Sequence, residues 1–159
     1  MFQISILISL ALLCTTVIAE TKSQNQNNSK SPEDYVNIFF DLYRNRSPVA
    51  AADYIFANNP YIFEKQESVQ DLKTKIGNLE KMLGKERGFF LVQNRDFGGT
   101  IRVISYIVKY DRQPLRFIFV FYKPADRWLT YQFNFDNAMD DSILNQGKTL
   151  EFRDVNSKN

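Results

Sequence analysis

The chain has 159 residues, 44% hydrophobic and 14% aromatic, which suffices for one packed domain. Its net charge is +2, and Lys73, Lys75, Lys81, Lys85, Arg102, Arg112 and Arg116 are scattered rather than clustered, which excludes a nucleic-acid-binding face. There is no His and a single Cys, so imidazole catalysis and imidazole metal ligation are excluded outright.

Residues 2–19 are almost all apolar, uncharged, and end Val17-Ile18-Ala19, with small residues at the positions a signal peptidase reads. Segment 1–19 therefore reads as a signal peptide cut after Ala19. The protein is then secreted or periplasmic, with no stable membrane span after cleavage; the alternative is an N-terminal membrane anchor. Cys14 lies inside this stretch, preceded by Leu13 rather than a small residue, which argues against lipidation. The mature chain then has no thiol and depends on its core alone.

Residues 20–30, ETKSQNQNNSK, have too little apolar surface to fold and read as a disordered polar lead. Structure begins at Ser31-Pro32-Glu33-Asp34, a cap, a proline at the first helical position and an acid at the positive end of the dipole. A helix over 31–44 aligns Tyr35, Phe39 and Leu42, with Val36, Phe40 and Tyr43 beside them. Ser47-Pro48 opens a second helix over 49–57, which Asn58-Asn59-Pro60 stops. A brief strand over 61–64 follows. Ser68 then caps a third helix, with Asp71 at N3 and Val69, Leu72, Ile76, Leu79 and Leu83 on its apolar face, ending at Gly84.

From Gly88 the apolar period changes to two, predicting strands over 89–95, 100–110, 115–123 and 127–136. Their short links imply an antiparallel meander. After Asn137 the chain is a polar tail, with Lys148 to Arg153 able to add a weak edge strand. In the third hairpin a three-residue loop at Pro124-Ala125-Asp126 would set Phe121, Phe119 and Phe117 opposite Leu129, Tyr131 and Phe133. With Arg127 also in the loop, those phenylalanines would meet Thr130, Gln132 and Asn134. The first register is preferred because it makes one coherent apolar face, completed by Phe135. The opposite face then carries Arg116, Ile118, Val120, Tyr122, Trp128, Thr130, Gln132 and Asn134, a mixed set. That is too apolar for idle exposure, and either a second copy or the C-terminal segment would cover it.

Three capped helices, a brief strand before the third, and a meander closing on RWLTYQFNF resemble the nuclear transport factor 2-like (cystatin-like) superfamily, in particular its small exported members of unknown function. The resemblance covers about residues 31–136 and is topological. It implies an α+β domain in which three N-terminal helices pack on a curved antiparallel sheet of four to five strands, forming a cone with an apolar cavity. Members of this superfamily often dimerise through the outer sheet face; some are isomerase- or dehydratase-like enzymes and many only bind. On this reading Tyr35, Phe39, Tyr43, Phe117, Phe119, Tyr131 and Phe133 line the cavity, and Ile118, Val120, Tyr122, Trp128 and Thr130 form the interface.

The expectation is an exported non-catalytic binding module for a small apolar ligand or peptide, with no metal or cofactor. The alternative is a structural protein that homodimerises or docks an envelope partner through its outer face. An isomerase-type site without His would need an Asp base and a Tyr/protonated-Asp donor pair. The predicted inner face holds no carboxylate, and Asp96, Asp111, Asp126 and Asp136 fall at turns or strand ends. Asp140-Asp141 lacks the spacing of a calcium loop.

Overall fold

The computed structural model describes residues 29–138 and Asn145. The predicted signal peptide, most of the polar lead, the Asp140-Asp141 pair and the edge strand at 148–153 lie outside the described residues. Over residues 29–138 the fold is α+β, with four α-helices followed by four strands in the order β1-β2-β3-β4, an open antiparallel meander.

Helix α1 (Pro32–Asn45) starts as expected. Ser31 Oγ accepts from the Asp34 N–H at 3.1 Å, and Asp34 Oδ2 accepts from the Ser31 N–H at 2.9 Å, which satisfies two otherwise orphaned donors. Ser47 caps α2 (Pro48–Ala57) by accepting from the Ala50 N–H at 3.0 Å.

The next segment departs from expectation. Residues 61–64 are not a strand but part of a 3₁₀ turn, Pro60–Lys65, which runs directly into α3 (Gln66–Gly77). Pro60 fixes a helical φ, and Asn59 Oδ1 caps the Tyr61 N–H at 2.9 Å, so Ser68 falls inside α3 instead of at its cap. The predicted third helix also breaks in two. Gly77 and Asn78 are poor helix formers, and Asn78 Nδ2 donates to the Thr74 carbonyl at 2.9 Å before α4 (Leu79–Leu83) begins.

Strands β1 (Glu86–Phe97), β2 (Ile101–Tyr110), β3 (Pro114–Tyr122) and β4 (Leu129–Asp136) lie where the period-two pattern places them. Gly98 and Gly99, both at positive φ, are the central residues of the turn between β1 and β2, which Thr100 closes by donating its N–H to the Phe97 carbonyl at 3.3 Å. β1 is an edge strand whose pairing shifts between Leu91 and Gln93.

The β3–β4 register corrects the expected one. Near the turn Tyr122 faces Leu129 and Phe121 faces Thr130, the alignment with the longer loop. The register then shifts, so that Val120 faces Gln132, Phe119 faces Phe133 and Phe117 faces Phe135. Tyr131 is the extra residue, a β-bulge. The longer connection alone would have set the phenylalanines against polar partners. The bulge re-phases the strand and restores an aromatic inner face.

That face carries Ile104, Val108, Phe117, Phe119, Phe121 and Phe133, all buried against Val36, Phe39, Phe40 and Tyr43 of α1 and Ala51, Ala52, Ile55 and Phe56 of α2. Phe39 lies 5.0 Å from both Phe119 and Phe133, ring centre to ring centre, and Phe119 stacks on Phe133 at 4.8 Å. These are the offset and edge geometries that aromatic quadrupoles favour, so the rings fill the space between helix and sheet.

Candidate functional site

The expected cavity residues divide into two groups. Phe39, Phe117, Phe119 and Phe133 are core, packed on one another, and Tyr35 packs on Phe121 at 5.9 Å. Tyr43 is buried with its hydroxyl bonded to that of Tyr110 on β2. Burial pushes the Tyr43 phenol up to about 12, and burial followed by the neighbouring Tyr43 pushes Tyr110 higher still. Both stay protonated at neutral pH, so the pair is a structural donor and acceptor and not a base. Tyr131, predicted inside, is 54% exposed because the bulge turns it outward.

The expected interface residues divide as well. Ile118 and Val120 are half-buried on the outer face and Tyr122 is exposed. Thr130 is fully buried, since it faces Phe121 on the inner side, and Trp128 packs against the core. Both corrections follow from the longer connection, which reverses the face of every residue between the turn and the bulge.

The residues the fold brings together lie at the open end of the sheet. Asn58 Oδ1 accepts from the Thr130 N–H at 2.9 Å, and Asn59 Nδ2 donates to the Thr130 carbonyl at 2.8 Å. These two amides clip the 3₁₀ turn to β4 and place Tyr61 and Lys65 beside Tyr131. The Lys65 ammonium sits 5.2 Å from the centre of the Tyr131 ring, within cation–π reach.

Tyr61, Tyr122, Tyr131, Leu129 and Pro124 then surround a hollow of about 310 Å³ with Asn59, Glu64 and Lys65 at its rim. On the other side of Tyr122 and Tyr131 lies a second, almost wholly apolar hollow of about 280 Å³, lined also by Ile101, Val120 and Phe121. Tyr61 is 69% and Tyr122 44% exposed. The result is a tyrosine shelf at one corner of the outer face.

Such a surface offers apolar area, rigid rings and hydroxyl donors, which suits association more than bond-making. A larger groove of about 590 Å³ between α2 and α3 is bridged by the Asp53–Lys73 ion pair and edged with Gln66, Glu67 and Gln70.

Acid–base chemistry finds little to work with. Among the described residues no carboxylate is buried, and no group of three His, Cys, Asp or Glu could hold a metal ion. Glu33 is the best-organised carboxylate: Arg102 donates to its Oε1 from Nη2 at 2.6 Å and Nε at 3.0 Å, and Asn94 donates at 2.8 Å. Partial burial would raise its pKa, but these hydrogen bonds outweigh burial and hold it below the usual value. It is an ion-pair anchor between α1 and the sheet.

Among the described residues no helix is long and apolar enough to cross a membrane. No protein-family model matches the chain, and no characterised protein or solved structure is significantly similar to it.

Proposed function

We propose that this chain is an exported, non-catalytic interaction module of nuclear transport factor 2-like build, which associates through its surface instead of enclosing a ligand. Export rests on the apolar segment ending at Ala19, and the cone-like arrangement on the helix-then-meander order. One observation carries the mode of action. The space between α1 and the sheet is occupied by Phe39, Phe117, Phe119 and Phe133, while Tyr61, Tyr122 and Tyr131 stand open at the surface. Exposed aromatic clusters with a polar rim are what protein interfaces are built around. The partner is a second copy, the simplest way to cover such a patch.

Sedimentation of the exported protein tests this. The expected result is a species of twice the monomer mass that Tyr122→Ser with Tyr131→Ser converts to a folded monomer. A clean monomer at high concentration overturns the homodimer. Native mass spectrometry showing a retained small apolar molecule overturns the surface reading and reinstates an internal site.

A further inference from the structure

Some of the basic residues that lie scattered along the sequence meet in space. Strand β2 runs from Ile101, beside the tyrosine shelf, to Tyr110 at the opposite end of the sheet, about 30 Å away at the usual rise per residue. There the link from α4 to β1 packs against the turn between β2 and β3. Arg112 donates its backbone N–H to the Leu83 carbonyl at 2.9 Å and its Nη1 to the Met82 carbonyl at 2.8 Å, and Asp111 Oδ2 accepts from the Lys85 N–H at 2.8 Å.

These bonds bring Lys81, Lys85 and Arg112, all exposed, to one end of the fold. Lys109 joins them. Its side chain lies across Gly88, where a Cβ would come within 3.2 Å of Lys109 Cε, so its ammonium ends at the start of β1. The nearby acids are mostly taken: Glu86 by Arg44, Asp111 by Arg87 and Asp136 by Arg116, with Glu80 left over. Lys81, Lys85, Lys109 and Arg112 have no acidic partner among the described residues, so this end carries a net positive field.

What stands among the cations decides what they suit. Met82 is 58% exposed, next to Lys81 and to the arginine bound at its own carbonyl. An apolar side chain ringed by lysine and arginine is the pattern of interfacial contact, in which the cations meet headgroup phosphates and the apolar group enters the acyl boundary. Single-stranded nucleic acid is held instead by a series of aromatic rings along a basic groove, and the exposed tyrosines that have this character lie at the other end.

We infer that the end of the domain formed by Lys81, Lys85, Lys109 and Arg112 docks on an anionic lipid surface, with Met82 entering the headgroup layer. This goes beyond the association proposed above and does not depend on it, because the tyrosine shelf stays at the far end, clear of the membrane.

Co-sedimentation with vesicles tests the inference. The exported chain, beginning at Glu20, should bind phosphatidylcholine vesicles carrying about one third phosphatidylglycerol, and should be released as salt rises to about 0.5 M. Vesicles of phosphatidylcholine alone should leave it in solution. Lys81→Glu with Lys85→Glu should weaken binding at least about tenfold, since each basic residue near an anionic leaflet is worth about fivefold. Both side chains are exposed, so the circular dichroism spectrum should stay unchanged, and Lys81→Gln with Lys85→Gln repeats the test without adding charge. Arg95→Glu with Arg127→Glu alters net charge equally toward the other end of the sheet and should stay within about twofold of the parent. Met82→Ser should weaken binding severalfold at unchanged salt dependence.

Equal binding to neutral and anionic vesicles overturns the inference. So does an equal loss in the two charge-reversed variants, which would report net charge and not this surface. Retention on heparin or DNA without vesicle binding would assign the cations to a soluble polyanion and overturn it as well. Full binding by Met82→Ser overturns the insertion. None of these readouts requires the chain to dimerise.

Discussion

Asn59 spends both ends of its amide on different elements: Nδ2 donates to the Thr130 carbonyl at 2.8 Å, and Oδ1 accepts from the Tyr61 N–H at 2.9 Å. One side chain therefore ties an edge strand to a 3₁₀ turn and sets the separation of Tyr61 and Tyr131. Asn59→Ala should cost about 1–2 kcal/mol, through the loss of one half-buried and one exposed hydrogen bond. It should also weaken self-association more than its loss of stability accounts for. Urea titration and sedimentation on the same variant separate the two effects.

The buried tyrosine pair makes a prediction at high pH. Because burial raises both phenols above the unfolded value of 10, their contribution is fully present below that pH and is lost as pH rises through about 12, the folded value of Tyr43. An ultraviolet titration should find two of the eight tyrosines silent until the protein unfolds. Tyr43→Phe strands the Tyr110 hydroxyl and should cost about 1–3 kcal/mol, whereas adding Tyr110→Phe should recover most of it.

Glu33 works in the opposite direction. Its pKa is lowered in the fold, so its contribution is present above the unfolded value of 4.5 and disappears as pH falls through the lower folded value. Acid titration of Glu33→Gln should show a shallower loss of stability in that window than the parent. An identical slope would mean that the Arg102 and Asn94 bonds add nothing in solution.

The packed interior makes a sharper demand. Phe39 touches Phe117, Phe119 and Phe133 at once, so Phe39→Ala should cost about 3–5 kcal/mol and leave an apolar void. The variant should bind a benzene-sized probe, measurable by a rise in melting temperature, and the parent should not. Equal binding by both would mean that the parent already holds an open cavity.

Gly84 ends α4 with φ at +83°, and a Cβ there would come within 2.6 Å of Asp111. Asp111 is itself engaged, accepting from the Lys85 N–H at 2.8 Å and pairing with Arg87. Gly84→Ala should therefore destabilise by at least about 1 kcal/mol, through strain and the loss of those bonds. Gly98→Ala, also at positive φ but with open space around it, should cost only the conformational part.

The legible parts of this fold were those in which a local signal agrees with the final structure. Ser31 and Ser47 announce their helices, and the change of period at Gly88 announces the sheet. Features that depend on distant partners were not legible. Nothing near Asn58 and Asn59 tells that their amides reach β4 seventy residues away. The bulge at Tyr131 has no local signal, because the chain uses one register near the turn and another beyond it. The longer connection turned Thr130 inward and the bulge left Tyr131 outside, and together they relocated the candidate site.

The bulge has a consequence for how this hairpin tolerates change. An extra residue at Tyr131 separates the alternation of the phenylalanine ladder from whatever happens between Lys123 and Leu129. Insertions or deletions in that connection alter the rim of the shelf without re-phasing Phe117, Phe119, Phe133 and Phe135. The tyrosine shelf is thus free to diverge in length and shape while the interior keeps its pattern.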